Sequence, residues 1–78
     1  MVYENVEKIR IAKGITKTHI AKALGLSLQG YRHIASGSVR LDAERLKTIA
    51  AILGCEPSVF YDDKLTDEVI KGIAIQSN

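Results

Sequence analysis

Several features that would identify common classes of protein are missing from this sequence. It has one cysteine, Cys55, which cannot form an internal disulfide. It contains no apolar run of about 18 residues, the length that a membrane-spanning helix requires. Near the N-terminus, Glu4 and Glu7 interrupt the apolar stretch that a signal peptide needs. We therefore expect one small cytoplasmic domain without a membrane segment.

Residues that could carry catalysis or bind a metal are few and scattered. His19, His33 and Cys55 do not have the spacing of a metal-ligand set. The sequence places no paired carboxylates, no glycine-rich phosphate loop and no nucleophile beside a base. We therefore expect neither an enzyme nor a bound metal or cofactor. Cys55 is interpreted as a small core residue.

The net charge of +2 is small, but it is unevenly distributed. Residues 1–40 hold seven Lys and Arg against two Asp and Glu, a net charge of +5. Residues 41–78 hold four against seven, a net charge of −3. A basic half and an acidic half are what a protein with one anion-binding face would have. Small domains often show such asymmetry, so the charge alone does not identify a partner.

The spacing of apolar residues predicts helices throughout the chain and no strand. Helix-capping residues stand before several of these segments, namely Thr16, Ser27, Asp42 and Thr66, and a glycine follows most of them. The predicted helices cover about residues 3–13, 17–24, 28–35, 43–53, 57–61 and 67–75. The fold class is therefore all-α: a compact domain of five helices with an additional C-terminal helix.

The second and third predicted helices are joined by a tight turn, Gly25-Leu26-Ser27, within residues 16–36. Gly25 is expected to adopt a positive φ, which a side chain would penalise. Ala21 is small, as a close crossing of two helices requires. Such a pair can hold its second helix away from the body of the domain. A protruding helix fits the major groove of DNA.

From Asn5 to Tyr61 the sequence resembles the lambda-repressor-like helix-turn-helix family, also called the Cro/cI or Xre family. The residues that carry the resemblance are Ile9-Arg10, Lys13-Gly14-Ile15-Thr16, Ile20-Ala21, Ala23-Leu24-Gly25-Leu26-Ser27, Ile34, Ser36-Gly37, Leu46, Ile49-Ala50, Leu53-Gly54 and Phe60. The resemblance implies a helix-turn-helix DNA-binding domain over residues 1–61 and a C-terminal extension over residues 62–78. It also implies that the third helix, about residues 28–35, is the recognition helix.

The resemblance assigns nine residues to the DNA interface: Lys17, Ser27, Leu28, Gln29, Arg32, His33, Ser36, Ser38 and Arg40. Their chemistry suits these roles. Gln29 can make a two-point contact to adenine, and Arg32 can do so to guanine or bind a phosphate. Leu28 suits a thymine methyl group, although single surface leucines are common. Lys17 adds positive charge at the start of the second helix, where free N–H groups also favour phosphate.

The sequence departs from the family pattern at residues that support the recognition helix. Most relatives have a glutamate at the position of Ala35, paired with the arginine that matches Arg10. We expect Arg10 to reach solvent, a carbonyl group or another carboxylate such as Glu7. Gly30 indicates either a weakened helix or a close approach of its backbone to DNA. Tyr31 replaces a branched aliphatic residue and is expected to be mostly buried.

What the resemblance implies is a sequence-specific transcriptional regulator of bacteria or prophages, a repressor that binds a palindromic operator as a homodimer. The alternative is an antitoxin or another protein-interaction module of the same fold, with a toxin or antirepressor as partner and DNA binding secondary. The apolar residues of the extension, residues 62–78, are expected to form a dimerisation helix. They could instead complete the core of the monomer.

Overall fold

The computed structural model describes the backbone of residues 1–76 and the side chains of residues 1–73. It contains five α-helices and one 3₁₀ helix: α1 (Val2–Ala12), α2 (Lys17–Ala23), α3 (Leu28–Ala35), α4 (Ala43–Leu53), the 3₁₀ helix (Pro57–Tyr61) and α5 (Asp63–Gln76). Within the described residues there is no strand, and the predicted all-α fold is confirmed. None of these helices is long and apolar enough to cross a membrane.

Three of the predicted N-caps are confirmed, at the starts of α2, α3 and α4. In each, the capping side chain accepts a hydrogen bond from the backbone N–H three residues later: Thr16 from His19 at 3.1 Å, Ser27 from Gly30 at 3.0 Å and Asp42 from Arg45 at 2.8 Å. Each cap satisfies a donor that the first turn of a helix leaves free. These short-range interactions explain why α2, α3 and α4 begin where the sequence predicts.

The predicted start of the last helix is wrong. Thr66 does not cap it, because α5 already begins at Asp63. The side chain of Asp62 caps it instead, since Asp62 Oδ1 accepts hydrogen bonds from the N–H groups of Lys64 and Leu65 at 2.9 and 3.1 Å. Thr66 is fully buried, and its hydroxyl donates to the carbonyl oxygen of Val59 at 2.7 Å. Thr66 therefore joins α5 to the 3₁₀ helix.

One hydrophobic core lies between the helices. Tyr31 and Phe60 are its largest fully buried side chains. The other buried members of the cluster come from α1, α2, α4 and the 3₁₀ helix: Val6, Ile9, Ile20, Ala21, Leu46, Ile49, Ala50, Leu53 and Val59. Val69 and Ile70 of α5 pack against this cluster. The C-terminal extension thus contributes apolar side chains to the monomer, and its role in dimerisation stays a prediction.

Candidate nucleic-acid interface

The turn between α2 and α3 fixes the angle at which α3 leaves the core. Gly25 has φ +69°, as the sequence predicts, and a side chain there would strain the backbone. The N–H of Leu26 donates to the carbonyl oxygen of Ala21 at 2.9 Å, which closes the turn. Ala21 is only 2% exposed and is small enough for the two helices to pack closely. The residues of the turn, together with the small Ala21, therefore account for the close packing of α2 and α3.

The two sides of α3 differ in burial. Tyr31 and Ile34 are buried and hold the helix to the domain. Gln29, Arg32 and His33 are exposed. Residues three and four apart share one face of a helix, so these three side chains lie side by side on the outward face. The structure thus brings together three of the predicted recognition residues.

Leu28 and Ser27 stand at the N-terminal end of the same helix. Leu28 is half-buried, and Ser27 is exposed. The oxygen of Ser27 accepts the capping hydrogen bond from Gly30, which leaves its hydroxyl hydrogen available to an outside acceptor. Leu28 lies one helical turn before Arg32 and can therefore extend the outward face with an apolar group.

The loop after α3 carries three more of the predicted contact residues, Ser36, Ser38 and Arg40, all of them exposed. The Ser36 hydroxyl donates to the carbonyl oxygen of His33 at 3.1 Å, and its oxygen lies 2.9 Å from the hydroxyl of Ser38. The backbone N–H of Ser38 also donates to the His33 carbonyl, at 2.9 Å. These bonds order the segment that leads from α3 to Arg40.

Lys17 is the first residue of α2 and is half-buried. Its positive charge acts on the carboxylate of Glu7 in α1 and contributes to lowering the pKa of that group. Lys17 thus lies on a different helix from Gln29, Arg32 and His33. A phosphate contact by Lys17 would come from the side of α2.

Glu7 and Arg10 form an ion pair beneath the helix pair. Arg10 Nε donates to Glu7 Oε2 at 2.8 Å, and Arg10 Nη2 donates to Oε1 at 3.0 Å. Arg10 Nη1 donates to the carbonyl oxygen of Ile15 at 2.7 Å. The prediction that Arg10 would find Glu7 or a carbonyl group in place of the missing glutamate is confirmed by both contacts.

The hydroxyl of Tyr31 donates to Glu7 Oε2 at 2.7 Å. Tyr31 is fully buried, as predicted, but the sequence did not identify Glu7 as its partner. Burial raises the pKa of the Tyr31 phenol, and the adjacent carboxylate raises it further. Burial alone would raise the pKa of Glu7, but the hydrogen bonds from Arg10 and Tyr31 and the charges of Arg10 and Lys17 outweigh it and lower that pKa.

Two other features bear on what the surface can bind. Within the described residues, no group of three or more His, Cys, Asp or Glu is arranged to hold a metal ion. An open apolar groove of about 460 Å³ lies beside the 38–41 loop, and Met1, Tyr3, Val39 and Tyr61 are among the residues that line it. No local pattern predicts this groove, because its residues come from three separate segments of the chain.

Comparison with known protein families agrees with this geometry. A family described as helix-turn-helix, of the Cro/C1 and Xre-like type, matches residues 6–60, which is more than half of the chain. The chain belongs to this family. No curated protein and no solved structure gives a significant match. As a Cro/C1-type helix-turn-helix protein, it carries the DNA-binding domain of a regulator.

Proposed function

We propose that this Cro/C1-type protein is a sequence-specific regulator of transcription, a bacterial or prophage repressor that binds a palindromic operator as a homodimer. The observation that carries the proposal is the outward face of α3. Gln29, Arg32 and His33 are exposed there, while Tyr31 and Ile34 on the opposite side fix the helix to the core. A helix presented in this way can enter the major groove.

The side chains of this face have the chemistry of base recognition. A glutamine can accept from and donate to adenine at once, and an arginine can donate twice to guanine. Gln29 and Arg32 are one turn apart on α3 and would reach neighbouring base pairs. Leu28 would add an apolar contact to a thymine methyl group, and His33 a further polar contact.

Phosphate contacts would come from the residues that flank this face. Lys17 and Arg40 supply positive charge from α2 and from the loop after α3. Ser27 supplies a hydroxyl hydrogen that is free to donate to a phosphate oxygen. Ser36 and Ser38 would donate to phosphate only by giving up the hydrogen bonds that they make after α3. Contacts of this kind set register and affinity but read no sequence, and they make binding weaker as salt increases.

Dimerisation would use the exposed apolar groove. Met1 is 71% exposed, Tyr61 66% and Val39 45%, and all three line it. Arg40 lines the same groove, and Asp63 Oδ1 lies 4.0 Å from the N-terminal amine of Met1, so both signs of charge stand in or beside it. A two-fold interface brings each surface against its own copy and therefore needs this self-complementarity. Two recognition helices would then reach half-sites about 34 Å apart.

The first experiment is a band-shift titration on DNA from upstream of the protein's own gene, at low and high salt. We expect a shift at low salt that weakens steeply as salt increases. Selection of bound sequences from a random pool should return a site with two-fold symmetry. The absence of any shift at low salt would refute DNA binding as the function.

The dimer can be tested with two variants of equal exposure. Tyr61 and Ile11 are each 66% exposed, but Ile11 does not line the groove. We expect Tyr61→Ser to lower the molar mass measured by light scattering from that of a dimer to that of a monomer, while Ile11→Ser leaves it unchanged. A monomeric wild type, or equal behaviour of the two variants, would contradict the proposed interface.

The second candidate is a protein-interaction module such as an antitoxin, with a toxin or an antirepressor as its partner. The apolar groove and the net charge of −3 in residues 41–78 favour it. Charge reversal of Lys17 and Arg32, neither of which lines the groove, separates the two functions. DNA binding should collapse, while a partner bound through the acidic half should remain bound. Reversal of Lys64 and Lys71, which are exposed on α5, is the control with the same change in net charge.

A further inference from the structure

One carboxylate connects three segments of the helix-turn-helix. Glu7 on α1 accepts hydrogen bonds from two nitrogens of Arg10 and from the hydroxyl of Tyr31 on α3. Arg10 in turn donates to the carbonyl oxygen of Ile15, in the segment that leads into α2. Arg10 and Glu7 thus fix both the entry to α2 and the inner side of α3.

The hydrogen bond between Tyr31 and Glu7 ties α3 to α1. In the part of the chain that the structure describes, it is the only side-chain hydrogen bond between α3 and another helix. The other buried side chain of α3, Ile34, makes apolar contacts that are not directional. A hydrogen bond to an ionised carboxylate is short and directional, so it can set the rotation of α3 about its own axis.

We propose that Tyr31 is a positioning residue for base recognition, which acts through Glu7 and sets the orientation of α3 without touching DNA. The inference rests on the proposed function. Gln29 and Arg32 lie within two residues of Tyr31, but their side chains are exposed whereas that of Tyr31 is buried. Two-point contacts to bases tolerate only small displacements, so a rotation of α3 would weaken specific contacts first. Flexible contacts to phosphates would adapt.

The test is Tyr31→Phe, which removes the hydroxyl and leaves the ring in the core. Affinity is measured by fluorescence anisotropy for the selected operator and for a scrambled duplex of equal length. We expect the operator affinity to fall about tenfold, because misplaced contacts lose much of their strength. The affinity for scrambled DNA and its salt dependence should not change, so the ratio of the two affinities falls.

Thr66→Val is the matched control. It also removes one fully buried hydroxyl that donates at 2.7 Å, but between α5 and the 3₁₀ helix. Both variants are compared at a temperature at which circular dichroism shows them fully folded. We expect Thr66→Val to lower the melting temperature and to leave both DNA affinities unchanged. If it lowers the affinity ratio as Tyr31→Phe does, the positioning role is refuted.

Glu7→Leu tests the same bond from the other side, because it removes the acceptor, whereas a glutamine would keep an amide oxygen that can accept from Tyr31. In a Glu7→Leu background, Tyr31→Phe should change the affinity ratio by less than it does in the wild type, because the two residues act through one bond. Additive effects, or an unchanged ratio in Tyr31→Phe, would overturn the inference. A wild type that prefers no sequence would instead refute the proposed function, so the two failures are distinguishable.

Discussion

The aromatic ring of Tyr3 on α1 occupies the space in which a side chain at Gly37 would lie. An ideal Cβ at Gly37 would be 2.7 Å from Tyr3 Cζ and 2.8 Å from Cε1. Gly37 also has φ +81°, in the left-handed region that favours glycine. The end of α3 and the start of α1 are thus packed through a residue without a side chain.

Gly37→Ala should destabilise the protein through both effects. Gly25→Ala is the control, because Gly25 has φ +69° but nothing within 4 Å of its Cβ position. We expect about 1 kcal/mol for Gly25→Ala from backbone strain. For Gly37→Ala we expect about 0.5–1.5 kcal/mol more, the cost of moving the end of the half-buried Tyr3 side chain out of its preferred rotamer. Urea denaturation measures both. In a Tyr3→Ala background the excess should disappear, and its persistence would place the clash elsewhere.

Gly30→Ala should stabilise the protein. Gly30 lies inside α3 and has a negative φ, and a Cβ there would be 3.4 Å from Ser27 Oγ and 3.5 Å from Leu26 Cβ, which is ordinary contact. Alanine favours a helix interior over glycine by about 0.5–1 kcal/mol. A lower melting temperature would contradict this. A band shift with the same variant then tests whether the Gly30 backbone approaches DNA: weaker binding despite higher stability would support it.

The ion pair of Glu7 predicts a dependence of stability on pH. The pKa of Glu7 is lowered in the folded protein, so its contribution is fully present above the unfolded value of about 4.5 and is lost as the pH falls through the folded value. We expect Glu7→Gln to melt below the wild type at pH 7, with a difference that shrinks as the pH is lowered below about 4.5. Thr66→Val, which alters no ionisable group, should show no such convergence.

Gln29→Ala should relax the base preference at one base pair of each half-site, at a cost of about 1–3 kcal/mol. The reason is the exposed position of Gln29 on the outward face of α3. Lys17→Ala is the contrasting variant, because loss of a phosphate contact should weaken all sequences alike and reduce the salt dependence. Selection from a random pool followed by sequencing measures both effects. An unchanged profile for Gln29→Ala would mean that Gln29 does not read a base.

The parts of the fold that the sequence predicts are those set by neighbours along the chain. Thr16, Ser27 and Asp42 cap helices because a capping oxygen needs only a donor three residues later. Thr66 belongs to the same class of residue, yet its hydroxyl binds the carbonyl of Val59 in the 3₁₀ helix. The deciding difference is burial, which depends on how α5 packs and which no local pattern reveals.

The candidate site also has features that local sequence predicts and one contact that depends on how the helices pack. Helical spacing is enough to place Gln29, Arg32 and His33 on one face of α3. The absence of an acid at Ala35 also predicts that Arg10 needs a new partner. The contact between Tyr31 and Glu7 could not be predicted, because 24 residues separate them and their approach depends on how α3 crosses α1.

Asn5 determines how freely parts of this protein can be exchanged with those of relatives. It is a buried polar residue of α1, and its Nδ2 donates to the carbonyl of Phe60 and to Asp63 Oδ1, both at 2.9 Å. A chimaera with a foreign tail after residue 61 would have to supply an acceptor in place of Asp63. Gln29, Arg32 and His33 on the outward face of α3 are exposed, so under the proposed function they can be exchanged to alter DNA preference while the tail remains native.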